Sequence, residues 1–306
     1  MCNKRTGEYS GCNLFMQMTT TETVLLFEKA LLGSNYSPRT IRAYTDDVKQ
    51  YLAFVQKGRV DWDIPHRLDR TGIVEFINHL AALKATGVTR FRKLASIRKF
   101  FRFLQENEII YGCPTDTIKS PLKEEKDPPV LQKNEYKALL YEAHDHPRDF
   151  AILQLFLQTG IRVGELVGLT MGDVDLENRT LVVRQGKGKK DRTIPLEEQA
   201  VAALKRYLKG RGFMPPDETV FLAKNGSSMD VRTVRLLVKK YLKKAGITKK
   251  ASVHTLRHTF GTHKVDRGMT IPALKELLGH KQMETTYKYV HLAKTTLREQ
   301  QERTGL

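Results

Sequence analysis

The stretch His254-Thr255-Leu256-Arg257-His258, continued by Leu277-Leu278-Gly279-His280 and Tyr287-Lys288-Tyr289-Val290-His291, decides how this 306-residue chain is read. Two histidines at i and i+4 suit zinc. The glutamate of an H-E-x-x-H helix is missing, however, no cysteine is near, and Arg257 between the histidines repels a cation. The arrangement suits an anion instead, because a guanidinium offers a fixed fork of donors with a titratable imidazole beside it. Pro272 is expected to open a short helix and Gly279 to cap it, so that His280 leaves at a defined turn. Tyr287 and Tyr289 lie about 200° apart around a helix, so only one can face a given site. The residues alone leave open which one does, and also a core role for either.

Upstream, Thr159-Gly160-Ile161-Arg162-Val163-Gly164-Glu165-Leu166 repeats the anion theme. Gly160 is expected to end one helix and Arg162 to open the next, where free N–H groups favour an anion. Glu165 shares that helix face and is placed to orient Arg162, although such pairs also occur as plain surface ion pairs. Between the two patches, Thr180 to Arg184 and Arg192 to Leu196 read as the strands of a β-hairpin. Its tip, Gln185-Gly186-Lys187-Gly188-Lys189-Lys190, carries glycines that admit close backbone approach to a phosphate, with Lys187 as a flexible donor. The tip does not match a Walker loop, and taken alone a solvated hairpin explains it equally well. Periodicity predicts helices near 132–144, 148–158, 197–209, 230–245, 255–267, 271–278 and 283–300.

The amino-terminal part reads as a flexible polar extension over 1–18, then a helical unit over 19–113. Val24, Leu25, Phe27, Leu31 and Leu32 recur at helix spacing until Gly33-Ser34-Asn35 stops the run. Ser37 is expected as an N-cap with Pro38 at the first helical position, ahead of a face made by Ile41, Tyr44, Val48, Tyr51, Leu52 and Val55. A third helix is predicted over 71–84 from Ile73, Phe76, Ile77, Leu80 and Leu83. A fourth, over 87–106, has the apolar face Phe91, Leu94, Ile97, Phe101 and Leu104. Arg90, Arg92, Lys93, Arg98, Lys99 and Arg102 surround that face, with no acid until Glu106. A solvated face ordinarily mixes signs, so a DNA-facing helix is the better reading. Pro114, Pro121, Pro128 and Pro129 mark a linker over 114–130, before a second unit over 131–306.

The chain holds 52 Lys and Arg against 34 Asp and Glu, a net charge of +18. The excess is spread over both halves, which is the electrostatic footprint of a polyanion binder rather than a basic tail. Self-repulsion for solubility gives the same sign. No apolar run approaches the ~18 residues of a membrane-spanning helix, and the amino terminus lacks a secretion signal. Cys2, Cys12 and Cys113 cannot make a disulfide framework. Secreted, membrane-spanning and disordered classes are excluded by this reading, and a cytoplasmic, reducing compartment is expected.

In order and spacing, Arg162, Lys187, His254-x-x-Arg257, His280 and Tyr289 resemble the catalytic signature of the tyrosine recombinase (phage integrase) family, in the flavour of its Xer-like and transposon-resolvase branch. Ser37-Pro38-x-Thr40 with Tyr44 and Asp47 is similar to that branch's helical DNA-binding half. Gly164 departs from the Ser or Ala common there, and residues 1–18 have no counterpart. The resemblance implies a mostly α fold with a small antiparallel sheet (α+β). It would form a two-domain C-shaped clamp, a helical SAM-like core-binding domain plus a tyrosine-recombinase catalytic domain with a C-terminal exchange helix.

It further implies that Tyr289, nine residues after the histidine of the Leu-Gly-His turn, is the nucleophile that forms a 3′-phosphotyrosine. Arg162, Arg257 and His280 would hold the non-bridging oxygens, supported by Glu165. Lys187 would protonate the departing 5′ oxygen and His254 would accept the tyrosine proton. Expected DNA contacts are Arg39, Arg42, the six basic residues of the fourth helix, Lys189, Lys190 and Arg192. The covalent link conserves bond energy, so no metal, nucleotide or other cofactor is required. Implied partners are double-stranded DNA with inverted-repeat core sites and three further copies, coupled by exchange of the tail after Tyr289, with room for an accessory protein. The task would be integration, excision or resolution of a mobile element or replicon dimer.

Two other classes compete. A non-catalytic DNA-binding regulator accounts for the charge but not for the Arg162, Lys187, Arg257 and Tyr289 set. A type IB topoisomerase shares the chemistry, but not the Xer-like amino half.

Overall fold

The computed structural model describes residues 18–57, 68–122, 127–184, 191–212 and 214–293. The chain divides into two compact units, Met1–Lys126 and Asp127–Leu306. Ile118 belongs to the buried core of the first and Leu131 to that of the second, so the change of core falls within the Pro-rich stretch.

The first unit consists of α1 (Thr20–Gly33), α2 (Pro38–Gln56), α3 (Arg70–Ala82) and α4 (Gly87–Glu106). Each begins on a side-chain cap: Thr19, Ser37, Asp69 and Thr86 accept from the backbone N–H three residues on. Helix α4 packs against the other three, so its buried arc is wide and takes in Phe100 beside Leu94, Ile97, Phe101 and Leu104. Phe91, expected in that face, is only half-buried, one turn before the packed region. Leu25, Leu32 and Leu83 are exposed, just outside the arcs their helices bury. Aromatic rings lock the interior edge to face, Phe27 on Phe100 at 5.4 Å and Tyr51 on Phe76 at 5.6 Å.

The second unit runs α5 (Lys133–Ala143), α6 (Pro147–Thr159), α7 (Val163–Val167), a 3-10 turn, strands β1 (Val174–Asp175), β2 (Thr180–Val183) and β3 (Arg192–Pro195), then α8 (Glu198–Leu208), α9 (Val231–Lys244), α10 (Val253–Asp266), α11 (Ile271–Leu278) and α12 (Glu284–Leu292). Helix α6 is its centre: Ala151, Ile152, Leu153, Leu155 and Phe156 are all fully buried, because α5, α8 and α10 cover it. The three strands pair antiparallel in the order β1-β2-β3, with Leu181 opposite Ile194. This mostly helical fold with one small sheet is the expected class.

Two boundaries differ from the sequence reading. Strand β1 was not foreseen, since two residues are too few to show a period. The helix expected over 283–300 ends at Leu292, where Ala293 turns extended and stays against the cluster of Phe260, Leu274, Leu278 and Tyr289. Residues 294–306, on which the exchange-helix expectation rests, lie outside the described residues, as do the extension over 1–17 and the hairpin tip with Lys187, Lys189 and Lys190.

Candidate active site

The carboxyl end of α11 organises the site. A helix leaves its last carbonyls without partners and negative in potential, and here three arginines take them in succession. Arg192 Nε donates to Leu277 O at 2.8 Å, Arg257 Nη2 to Leu278 O at 2.7 Å and Arg162 Nη2 to Gly279 O at 3.1 Å. Gly279 closes the helix with φ +63°, a left-handed conformation that suits glycine. The Leu277-Leu278-Gly279-His280 motif is thus a cradle for guanidinium groups as well as a turn that releases His280.

Each arginine has a second anchor. Arg257 lies buried on α10 and also donates to Gly160 O at 2.5 Å. Gly160 caps α6 at φ +61°, and a Cβ there would meet Phe260 at 2.4 Å. Arg162 is the N-cap of α7 and donates from Nη1 to Glu165 Oε1 at 2.7 Å, its side chain 40% exposed. Arg192, at the start of β3, donates from Nη2 to Glu165 Oε2 at 2.7 Å. Burial pushes the Glu165 carboxyl up, but hydrogen bonds from Arg192 and Arg162 outweigh it and hold the group below the usual range. Glu165 therefore stays charged and ties two guanidinium groups to one carboxylate. Burial, with the Arg162 charge beside it, lowers Arg257 to about 10.

Tyr289 is fully buried among these groups, and its hydroxyl has no hydrogen-bond partner among the described residues. Burial pushes the phenol up, and the Arg257 guanidinium, through its charge and its hydrogen-bonding approach to the hydroxyl, and then the Arg162 charge pull against it without offsetting it. The ring lies parallel to His280 at 6.3 Å between centres and tilted against His258 at 5.8 Å. His280 Nδ1 shares a 2.9 Å hydrogen bond with buried Thr286. Tyr287 is 52% exposed, so the choice the sequence left open falls on Tyr289 as the tyrosine inside this cluster.

The imidazoles are held neutral. Burial first and then neighbouring cations lower His280 to about 3 and His258 to about 4. His254, on the exposed rim, is lowered by partial burial and then by Arg235, Arg257, Lys288 and Arg162. At neutral pH they are unprotonated.

Sequence reasoning missed three of these residues. Thr286 gives no signal. Lys288 reads as an ordinary helix cation. Gly261 does give one, since an interior glycine costs a helix about 1 kcal/mol relative to alanine. A Cβ at Gly261 would lie 2.6 Å from Tyr289 Cε1; the bare backbone of α10 is the seat of the ring. Gly261→Val is expected to lower stability by about 1–3 kcal/mol through overpacking and to displace Tyr289, checked by thermal unfolding together with covalent-complex formation on DNA.

Arg192, expected as a DNA contact, is drawn inward. Its side chain is 9% exposed and bound to Glu165 through both terminal nitrogens and to Leu277 through Nε, so it holds the site together instead of standing out as a surface cation. On α4, buried Asp47 of α2 accepts from Arg92, from Lys93 Nζ at 2.9 Å and from Ser96 Oγ at 2.7 Å. Lys93, 12% exposed, is thereby taken up in the helix contact, and Arg98 is taken up by Ser120 and Ile118. Arg90 is half-buried, whereas Arg39, Arg42, Arg92, Lys99 and Arg102 remain exposed.

Known proteins resemble this chain in sequence and fold. The Phage integrase family model matches residues 129–296, and that of the phage integrase N-terminal SAM-like domain matches 25–108. Tyrosine recombinase XerC of Pelobacter propionicus is 34% identical over 269 residues, 87% of this chain and 88% of its own. The crystal structure of XerA recombinase is 30% identical with a TM-score of 0.54, covering 94% of this chain and 99% of that one. A lambda integrase tetramer bound to a Holliday junction has the same fold, at a TM-score of 0.74, 19% identity, and 89% and 77% coverage. With family models matching residues 25–108 and 129–296 and a XerC relative 34% identical over 87% of it, the chain belongs to the phage integrase family and is a Xer-like tyrosine recombinase.

Proposed function

We propose that this recombinase cuts and rejoins specific DNA sites by attack of Tyr289 on a backbone phosphorus, leaving a 3′-phosphotyrosine and a free 5′-hydroxyl. The observation that carries the assignment is the buried Tyr289 hydroxyl, approached by the Arg257 guanidinium but in no well-aligned hydrogen bond, in a cluster with Arg162 and neutral imidazoles. The tyrosine oxygen forms the new P–O bond as the bond to the 5′ oxygen breaks. Its proton goes to a neutral imidazole, His254 in our assignment. Arg162 and Arg257, each with N–H groups left over beyond those bound to carbonyls, neutralise the non-bridging oxygens as charge builds, and His280 adds a donor. Attack by a partner strand's 5′-hydroxyl reverses the step. No metal or nucleotide enters the scheme, so the covalent complex is expected to form in EDTA without nucleotide.

Lys187, outside the described residues, is assigned as proton donor to the 5′ oxygen. Lys187→Ala is expected to slow cleavage by a factor on the order of 10²–10⁴. A substrate whose 5′ bridging oxygen is sulfur leaves without a proton and should restore the rate. A variant not rescued by that substrate would reassign Lys187 to binding.

The first unit supplies sequence-tolerant phosphate contacts through Arg39, Arg42, Arg92, Lys99 and Arg102. Exchange between two duplexes needs four active sites, so we assign the working form as a tetramer on paired, inverted-repeat sites in the bacterial cytoplasm. The mobile-element or replicon-dimer task follows from the target DNA. The decisive experiment is a nicked suicide duplex carrying a candidate site, with the covalent adduct mapped by peptide sequencing. Mapping to Tyr289 supports the scheme. An adduct at another residue, or binding with no adduct on a duplex that other assays show to be recombined, would overturn it.

A further inference from the structure

Lys288 stands immediately before Tyr289 on α12, and its Nζ lies 5.3 Å from the centre of the Tyr289 ring. It is half-buried, and no carboxylate among the described residues pairs with it. A lysine held away from water without a counter-ion is costly, unless its charge is used. Its neighbours show where the charge points. From helix α10, His254, Arg257 and His258 interact with its charge, and the turn after α11 adds His280. Lys288 lowers all three imidazoles, and burial together with the Arg257 charge lowers Lys288 itself.

The other cations of the site belong to its fixed body, because the end of α11 and Gly160 hold them. Lys288 alone among these cations rides on the same helix as the nucleophile. Any movement of α12 that carries the Tyr289 oxygen toward a phosphate carries the ammonium with it. A cation over a phenol face favours the phenolate over the neutral ring.

We propose that Lys288 is the electrostatic partner of the nucleophile, stabilising the Tyr289 phenolate as it forms and travelling with it to the phosphorus. The inference rests on the assignment of Tyr289 as nucleophile. Lys288 makes and breaks no bond. The tyrosine proton leaves to a neutral imidazole, the phenolate oxygen bonds to phosphorus, the 5′ oxygen departs and is protonated by the donor assigned above, and Lys288 stays an ammonium throughout.

The test is single-turnover formation of the covalent complex on a nicked suicide duplex, between pH 6 and 10, for the full-length protein and its Lys288→Met and Lys288→Arg variants. Removing the charge leaves the phenol harder to ionise and the imidazoles easier to protonate, and both move the rising limb of the profile to higher pH. Lys288→Met is expected to be about tenfold slower at pH 7.5, with its limb about one unit higher, and to approach wild type at high pH. Lys288→Arg should recover most of the rate and the limb. Binding of uncut duplex should change less than roughly threefold, as one phosphate-independent charge implies.

A Lys288→Met protein with the wild-type profile, or one slowed equally at every pH, would overturn the proposal in favour of no role or a packing role. Full rescue of Lys288→Met by the 5′-bridging sulfur substrate would overturn it differently, by making Lys288 the proton donor. Tyr289→Phe serves as the separate control. If that variant still forms adduct, the nucleophile assignment has failed, whatever Lys288 does.

Discussion

Tyr289→Phe will form no covalent protein–DNA complex on a nicked suicide duplex, while its affinity for the same duplex in a gel-shift titration stays close to wild type. The change removes one oxygen, and that oxygen is the atom assigned to bond with phosphorus. It contributes little to binding, since the ring is packed inside the protein, and phosphate affinity comes from arginines and lysines. Folding should not suffer. The hydroxyl makes no well-aligned hydrogen bond among the described residues, so its removal should cost little stability. Phenylalanine fills the same seat against Gly261. Tyr287→Phe is the internal control, because Tyr287 is exposed and outside the cluster; it should retain activity. An adduct from Tyr289→Phe, or an inactive Tyr287→Phe, would reverse the assignment.

Arg257→Lys should lower the rate of covalent-complex formation by a factor on the order of 10²–10³, the usual loss when one preorganised donor at a developing charge is removed. The exchange keeps the charge and loses the fork. The guanidinium spans Gly160 O at the end of α6 and Leu278 O at the end of α11 while keeping further N–H groups for a phosphate. A lysine ammonium is a point donor on a flexible stem and cannot hold both carbonyls and still address the phosphate. Leaving a buried carbonyl unpaired also costs about 1–3 kcal/mol, so thermal unfolding is measured alongside. Cleavage at the wild-type rate by a folded Arg257→Lys protein would show that the arginine is structural only.

Much of this was legible in the chain. The cap at Ser37, the periodic faces of the helices and the glycine stops at Gly160 and Gly279 are local signals, written in residues within one or two turns of each other. The types and order of the site residues were legible as well, since phosphate chemistry demands forked cations, an imidazole and a nucleophile. The departures came where a residue's role depends on what approaches it from far along the chain. Arg192 looks like a surface cation of a hairpin until Glu165 and Leu277, 27 and 85 residues away, are seen to enclose it. Lys93 looks like a DNA contact until Asp47 reaches it from α2. Phe100 replaces Phe91 in the core because α4 is covered on several sides.

By itself, then, the sequence determined the helical class with its small hairpin sheet and the arginines and histidines of its cationic cluster, because helix period, capping and charge are properties of short segments. Only the tertiary structure decided that Tyr289 rather than Tyr287 is enclosed and that Gly261 is bare to receive its ring. It also decided that the carbonyls of Leu277, Leu278 and Gly279 hold three arginines in one place. Those facts depend on the packing of α10, α11 and α12 and on loop closures over more than a hundred residues, and no local pattern encodes the outcome of such contacts.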